Sequence, residues 1–214
     1  MIILQAVGSL ILLTAIYNLG IFASALIFKV RLEEFVIGLG KRILRFRVGQ
    51  TWCSIGILPV AGYCRLADYS AFPGMPIQKG ELRAQSFIPR TIIEMSGIIA
   101  VCVCGIFSIG AKEYSQVLLA CLYGLKDFAL LEKVSYESVP VNSWIELNGL
   151  MSAPMAILCI FPFGDLAGDR MLRLILSEIV PLKSSVGKLY DRIQTFLLCL
   201  IVILFILNFL RGNL

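Results

Sequence analysis

Residues able to do chemistry are few in this chain, and their types limit what they can do. None of the 214 residues is histidine. That zero excludes a His-based triad, an imidazole general base, and the usual catalytic zinc site built from two or three His. Asp165 and Asp169 stand four apart, so a helix would bring them to one face. A two-carboxylate site there would need a third acid such as Glu94 or Glu178. The plainer reading is a helix start with acids in its first turn, where the macrodipole favours them. Two facing Asp in different spans, as an aspartyl intramembrane protease needs, are missing; Glu94 and Glu146 lie near apolar spans, both close to the ends. The seven cysteines are scattered through apolar stretches, which argues against a disulfide framework. Cys102 and Cys104 would point about 200° apart on a helix, so they do not converge on one metal and read as small apolar fillers.

The elements that would position these groups are mostly membrane spans. Apolar residues make up 58% and charged residues 15%, and mean hydropathy is +0.88. A soluble domain is about half apolar and a quarter charged, so an integral membrane protein is expected. Four stretches qualify as spans, at 2–28, 91–111, 144–163 and 193–210. The first has no basic segment ahead of it and is too long for a signal peptide. The third carries Pro154 and Pro162 and is expected to be broken by them. Ten Lys/Arg fall between Lys29 and Arg90, three between spans two and three, five between spans three and four, and one after span four. The positive-inside rule then places the first and third connections in the cytoplasm and both termini outside, periplasmic in a bacterial inner membrane. The basic residues fall where topology needs them, so nucleic acid is not an expected partner.

Region 32–66 alternates apolar and polar residues around Gly-x-Gly and Val-Gly-Gln turn signals, which predicts short strands in one or two hairpins against the membrane face. Residues 67–90 read as a linker. Residues 112–143 hold an apolar segment too short for an inserted domain, read as an interfacial helix or a packed cap. Gly20, Ser96, Gly97, Gly149, Ser152 and Ala153 are small groups suited to close helix approach, and Asn18 could bond Asn148 across helices. Arg42, Arg45 and Arg47 serve topology and could attract anionic headgroups.

Five segments, in order, resemble the site-2 protease family of intramembrane zinc metalloproteases. Leu19-Gly20 stands where the family's His-Glu-Leu-Gly-His helix has its central pair, and "VRLEEFVIGLG" follows at the expected distance. "ILPVAGYCRLAD" (57–68) is similar to the family's hairpin, with Ala61 at its first Gly. "RTIIEMSGIIA" (90–100) resembles the second span, and "APMAILCIFPFGDLAGDRML" (153–172) the span that carries the metal-binding Asp. The closing "VGKLYDRIQTFLLCLIVILFILNFLR" resembles the last helix. Only 111–143 falls outside, where many relatives insert a PDZ domain.

The resemblance implies a single domain over 1–214, an α-helical polytopic membrane protein. It would have about four transmembrane helices, a membrane-associated β-hairpin region after the first, and a Pro-broken third helix. It also implies where the chemistry should stand. Two His at i and i+4 would grip zinc, with the intervening Glu as base. The matched residues are Tyr17, Asn18 and Ile21, and Ala167 replaces the metal-binding Asp. On this reading no metal, cofactor or catalytic residue is expected and the chain is not an enzyme. It is a pseudoprotease that binds or assembles transmembrane partners within the lipid bilayer. The candidate partner-binding residues are Asn18, Asn148, Trp52, Gly62 and Tyr63. A structural subunit of a larger membrane complex, and a membrane peptidase of another mechanism, are the alternatives.

Overall fold

The computed structural model describes residues 2–67, 79–124, 143–161, 166–179 and 192. The chain divides into two compact units, Met1–Leu158 and Cys159–Leu214, and each is described by itself.

Helix α1 (Ile2–Ile27) has no charged residue, and at 1.5 Å per residue it is about 39 Å long, enough to cross a hydrocarbon core of about 30 Å. It buries Ser9, Thr14, Asn18 and Ser24 while Leu4, Leu19, Leu26 and Ile27 are exposed. Small polar groups inward, with Leu4, Leu19 and Leu26 outward, suits a lipid solvent, where interhelical contacts use small and polar side chains. The helix ends in a Schellman-type cap. Val30 N–H donates to Ala25 O at 2.8 Å, and Lys29 takes the left-handed conformation, φ 56°, that glycine usually supplies.

Two long strands follow, β1 (Leu32–Val48) and β2 (Thr51–Leu66), paired antiparallel. The turn between them is Gly49-Gln50, with φ +61° at Gly49 only, the pattern of a type II′ hairpin. Residues 34–37 pair twice: Phe35 faces Cys64 on one side and Cys53 on the other, and Val36 faces Tyr63 and Ser54 likewise. Residues 42–48 pair with 51–56 through Arg47↔Trp52, Phe46↔Cys53 and Arg45↔Ser54. The long strands therefore fold back as a small twisted sheet in which 42–48 is one outer segment and 62–66 the other. The hairpin expected over 32–66 is present.

Helix α2 (Phe87–Ile109) starts four residues before the expected span. Pro89 sits in its first turn, where no intrahelical N–H is needed. The helix ends at Gly110, φ +89°, and α3 (Ala111–Gly124) turns back with Tyr114, Val117 and Cys121 buried, so the segment after span two is in part a packed helix. Helix α4 (Trp144–Ile160) runs through Pro154 without a break, which corrects the break expected there; Pro162 lies outside the described residues. The Pro154 ring is exposed, so the one backbone bond it removes opens outward and the buried face of the helix continues. At 17 residues α4 is about 26 Å long; α1 and α2 are the two helices long and apolar enough to cross a membrane among the described residues. The fourth expected span, 193–210, lies outside the described residues, as does most of the segment 112–143 beyond Gly124. In the second unit, α5 (Ala167–Ile179) is short and amphipathic.

Small residues set the helix spacing. A Cβ on Gly20 would stand 2.6 Å from Ser96 O, and one on Gly149 would stand 2.5 Å from Ile109 Cγ2. Ser24 and Ser96 hydroxyls bond at 2.8 Å across α1 and α2. Ile21, Ala25, Val30, Leu32, Cys64, Leu66 and Ile93 form the core where the hairpin meets these two helices.

Candidate functional site

Tyr17, Asn18 and Ile21 lie on the inner face of α1, and each is committed to packing. The Tyr17 ring rests on Gly97, where a Cβ would come within 2.7 Å of Cδ2 and Cε2. Ile21 is buried in the core beneath the hairpin. Asn18, 1% exposed, donates from Nδ2 to Thr14 O at 2.9 Å, and the same Nδ2 is 3.0 Å from the space a Cβ on Gly62 would fill. Gly62 thus lets the sheet backbone close over Asn18. Asn18 Oδ1 is buried with no hydrogen-bond partner.

These residues do not fit a zinc ion. Zinc takes four nitrogen, sulfur or oxygen ligands, and this face offers one amide oxygen beside a phenol ring and an isoleucine. Among the described residues no group of three His, Cys, Asp or Glu could hold a metal. In the second unit Ala167 is fully buried at the start of α5, and Gly168 packs on the Ile160 carbonyl. Asp169, in the first turn, is fully buried and accepts from Arg173 Nε at 3.1 and 3.2 Å. It serves as a paired carboxylate at a helix start; Asp165 lies outside the described residues.

The partner-binding candidates separate into inner and outer residues. Asn148 is 3% exposed and donates to Trp144 O at 2.8 Å. The expected Asn18–Asn148 clasp is therefore corrected: each amide donates to the carbonyl one turn back on its own helix, the nearest acceptor in an apolar surround. Gly62 is likewise an inner packing residue. Trp52 and Tyr63 reach the surface. The Arg45 and Arg47 guanidinium carbons stand 4.4 and 5.5 Å from the Trp52 ring centroid, close enough for cation–π attraction. Tyr63 Oη donates to Glu34 at 2.8 Å and accepts from Arg42 at 3.0 Å, while Arg42 also pairs with Glu34 at 2.6 Å. This exposed triad joins the inner segment 34–37 to both outer segments. Glu34 was not singled out from the sequence, although an acid in a strand beside a basic run was the available signal.

Sequence reasoning also missed a groove of about 610 Å³ between α1 and the hairpin turn. Leu19, Phe22 and Leu26 form its helical wall. Lys29, Arg31 and the turn at Gly49-Gln50 also line it. Phe22 and Phe35, both in its lining, meet edge to face with ring centroids 5.7 Å apart.

Comparison with known proteins agrees with this frame. The pattern of peptidase family M50 matches residues 5–201. Three curated relatives, each named "Putative zinc metalloprotease", share parts of the chain. One from Synechocystis sp. is 30% identical over 98 residues, 45% of this chain and 27% of that protein. One from Borreliella burgdorferi is 36% identical over 69 residues, 32% and 16% of the two chains. One from Treponema pallidum is 29% identical over 92 residues, 39% and 20%. The chain thus matches about a quarter or less of these relatives' length.

These matches overturn the expectation that the chain is not an enzyme, because the family and the named relatives are peptidases. They leave the side chains at 17, 18, 21 and 167 as described. The sequence itself contains no histidine.

Proposed function

We infer that this chain, which belongs to peptidase family M50, holds an extended segment of a transmembrane client along the open edge of its hairpin. The observation that carries this reading is the outer segment 42–48. It pairs on one side with 51–56, and residues 41–50 are exposed throughout. An open edge offers a row of N–H and C=O groups to an added strand, and the flanking side chains select what is added. Here Leu44, Phe46 and Val48 alternate with Arg45 and Arg47, a pattern suited to a client segment at the boundary between lipid and water. The names of the relatives support polypeptide as the material handled.

In this reading the chain acts as one membrane domain in a bacterial inner membrane, with both termini periplasmic. The concentration of Lys/Arg between residues 29 and 90 supports that orientation. The test is photocrosslinking from residue 43 or 46 in the membrane, followed by gentle detergent extraction. Several single-span clients should be trapped, and Leu44→Pro should abolish them without changing crosslinks from Ile99 on α2. One partner at constant ratio would favour a structural subunit of a larger complex. Absence of any trapped polypeptide at both edge positions would overturn the proposal.

A further inference from the structure

We propose that the groove between α1 and the hairpin turn binds one anionic phospholipid, with an acyl chain along α1 and the phosphate between Lys29 and Arg31. The groove's volume, about 610 Å³, falls within the range of small-molecule sites. Its helical wall is the Leu19, Phe22 and Leu26 face of a helix long enough to span the bilayer, so that wall stands at acyl-chain depth. Opposite is the apolar side of the hairpin. Val48, Thr51 and Cys53 line it, and Leu44 and Phe46 continue the same face by the two-residue strand period.

Two basic residues of the lining supply the complementary charge. Lys29 follows the helix end at Ile27 by two residues, and Arg31 follows by four, which sets both at the headgroup level. Lys29 provides an independent observation. It occupies a left-handed position, φ 56°, where a lysine costs on the order of 1 kcal/mol relative to glycine. Strain kept at a single non-glycine residue points to a role for its side chain, and Lys29 is one of the residues lining the groove. Arg45, Arg47 and Trp52 occupy the opposite sheet face. They provide a built-in control for diffuse attraction between a basic surface and an anionic membrane.

The experiment uses the full chain, delipidated in detergent and reconstituted in nanodiscs, with bound lipid counted by native mass spectrometry. One phosphatidylglycerol should be retained in preference to phosphatidylcholine by on the order of tenfold, from two basic groups near the surface. Lys29→Gln with Arg31→Gln should bring the preference close to one, whereas Arg45→Gln with Arg47→Gln should leave it. Lys29→Gly, which favours the observed turn and so preserves the fold, should reduce the preference several-fold by itself. Inorganic phosphate at millimolar concentration should not displace the lipid. Equal retention of the two lipids, or an equal loss in the Arg45/Arg47 variant, would reduce the groove to ordinary lipid contact and overturn the proposal. Displacement by phosphate would identify a free-anion site and overturn it as well. Client crosslinking at residue 43 is read separately, so either proposal can fail alone.

Discussion

The ring of Tyr17 occupies the notch that Gly97 leaves in α2: a Cβ at position 97 would stand 2.7 Å from two ring carbons. At this position α1 and α2 meet in a close helix–helix contact. Gly97→Ala should therefore cost about 1–3 kcal/mol through overpacking. Tyr17→Ala in the same chain should recover part of that loss, because the two residues share one space. Unfolding in detergent by a double-mutant cycle measures the coupling. Strictly additive losses would show that the ring and the glycine do not share that space.

Lys29→Gly should raise stability in lipid-free detergent by about 0.5–1 kcal/mol, since glycine accepts the left-handed cap without steric cost. Thermal unfolding of the purified chain reads this directly. A loss of stability would mean that the Lys29 side chain makes a contact worth more than the strain.

Arg173→Ala should destabilise the chain by about 1–3 kcal/mol, because Asp169 is fully buried and loses the Nε–H that both of its oxygens accept from. Asp169→Asn should cost less, since it removes the charge that needs compensation. Limited proteolysis after α5, as a function of denaturant, compares the two variants. Equal effects would place the energy in shape rather than charge.

Burial pushes the Tyr114 phenol well above its ordinary range, with neighbouring Cys102 adding to the shift, and burial likewise raises the Cys121 thiol. The folded state favours the neutral phenol, so this contribution is fully present below the ordinary tyrosine pKa of about 10. It is lost as pH rises above that value, where the unfolded chain ionises first. Alkaline unfolding should begin above about pH 10, and Tyr114→Phe should move its onset upward. An unchanged alkaline limb in that variant would remove Tyr114 as the cause.

Much of this architecture is legible in local sequence. Val-Gly-Gln between alternating strands predicts the hairpin, and the turn forms at Gly49-Gln50 because only one position there needs a positive φ. Small residues at 20, 96, 97, 149 and 152 predict close helix contacts, and they make them. The break expected at Pro154 is absent because a proline's consequence depends on which side of the helix it faces. Pro154 faces outward, so α4 continues. The Asn18–Asn148 clasp failed for a similar reason. Each amide reaches a carbonyl on its own helix without crossing to another.

By itself the sequence determined the membrane class, the hairpin and the absence of imidazole, because composition and short-range periodicity carry those properties. It also placed Tyr17, Asn18 and Ile21 together within one long apolar helix. Only the tertiary structure decided what surrounds them. Gly97 and Gly62 are 80 and 44 residues away from their partners Tyr17 and Asn18 along the chain, and no local pattern relates them. The double pairing of 34–37 and the groove beside Lys29 arise in the same way. They depend on how the hairpin folds back onto α1, and that is settled by packing between distant segments.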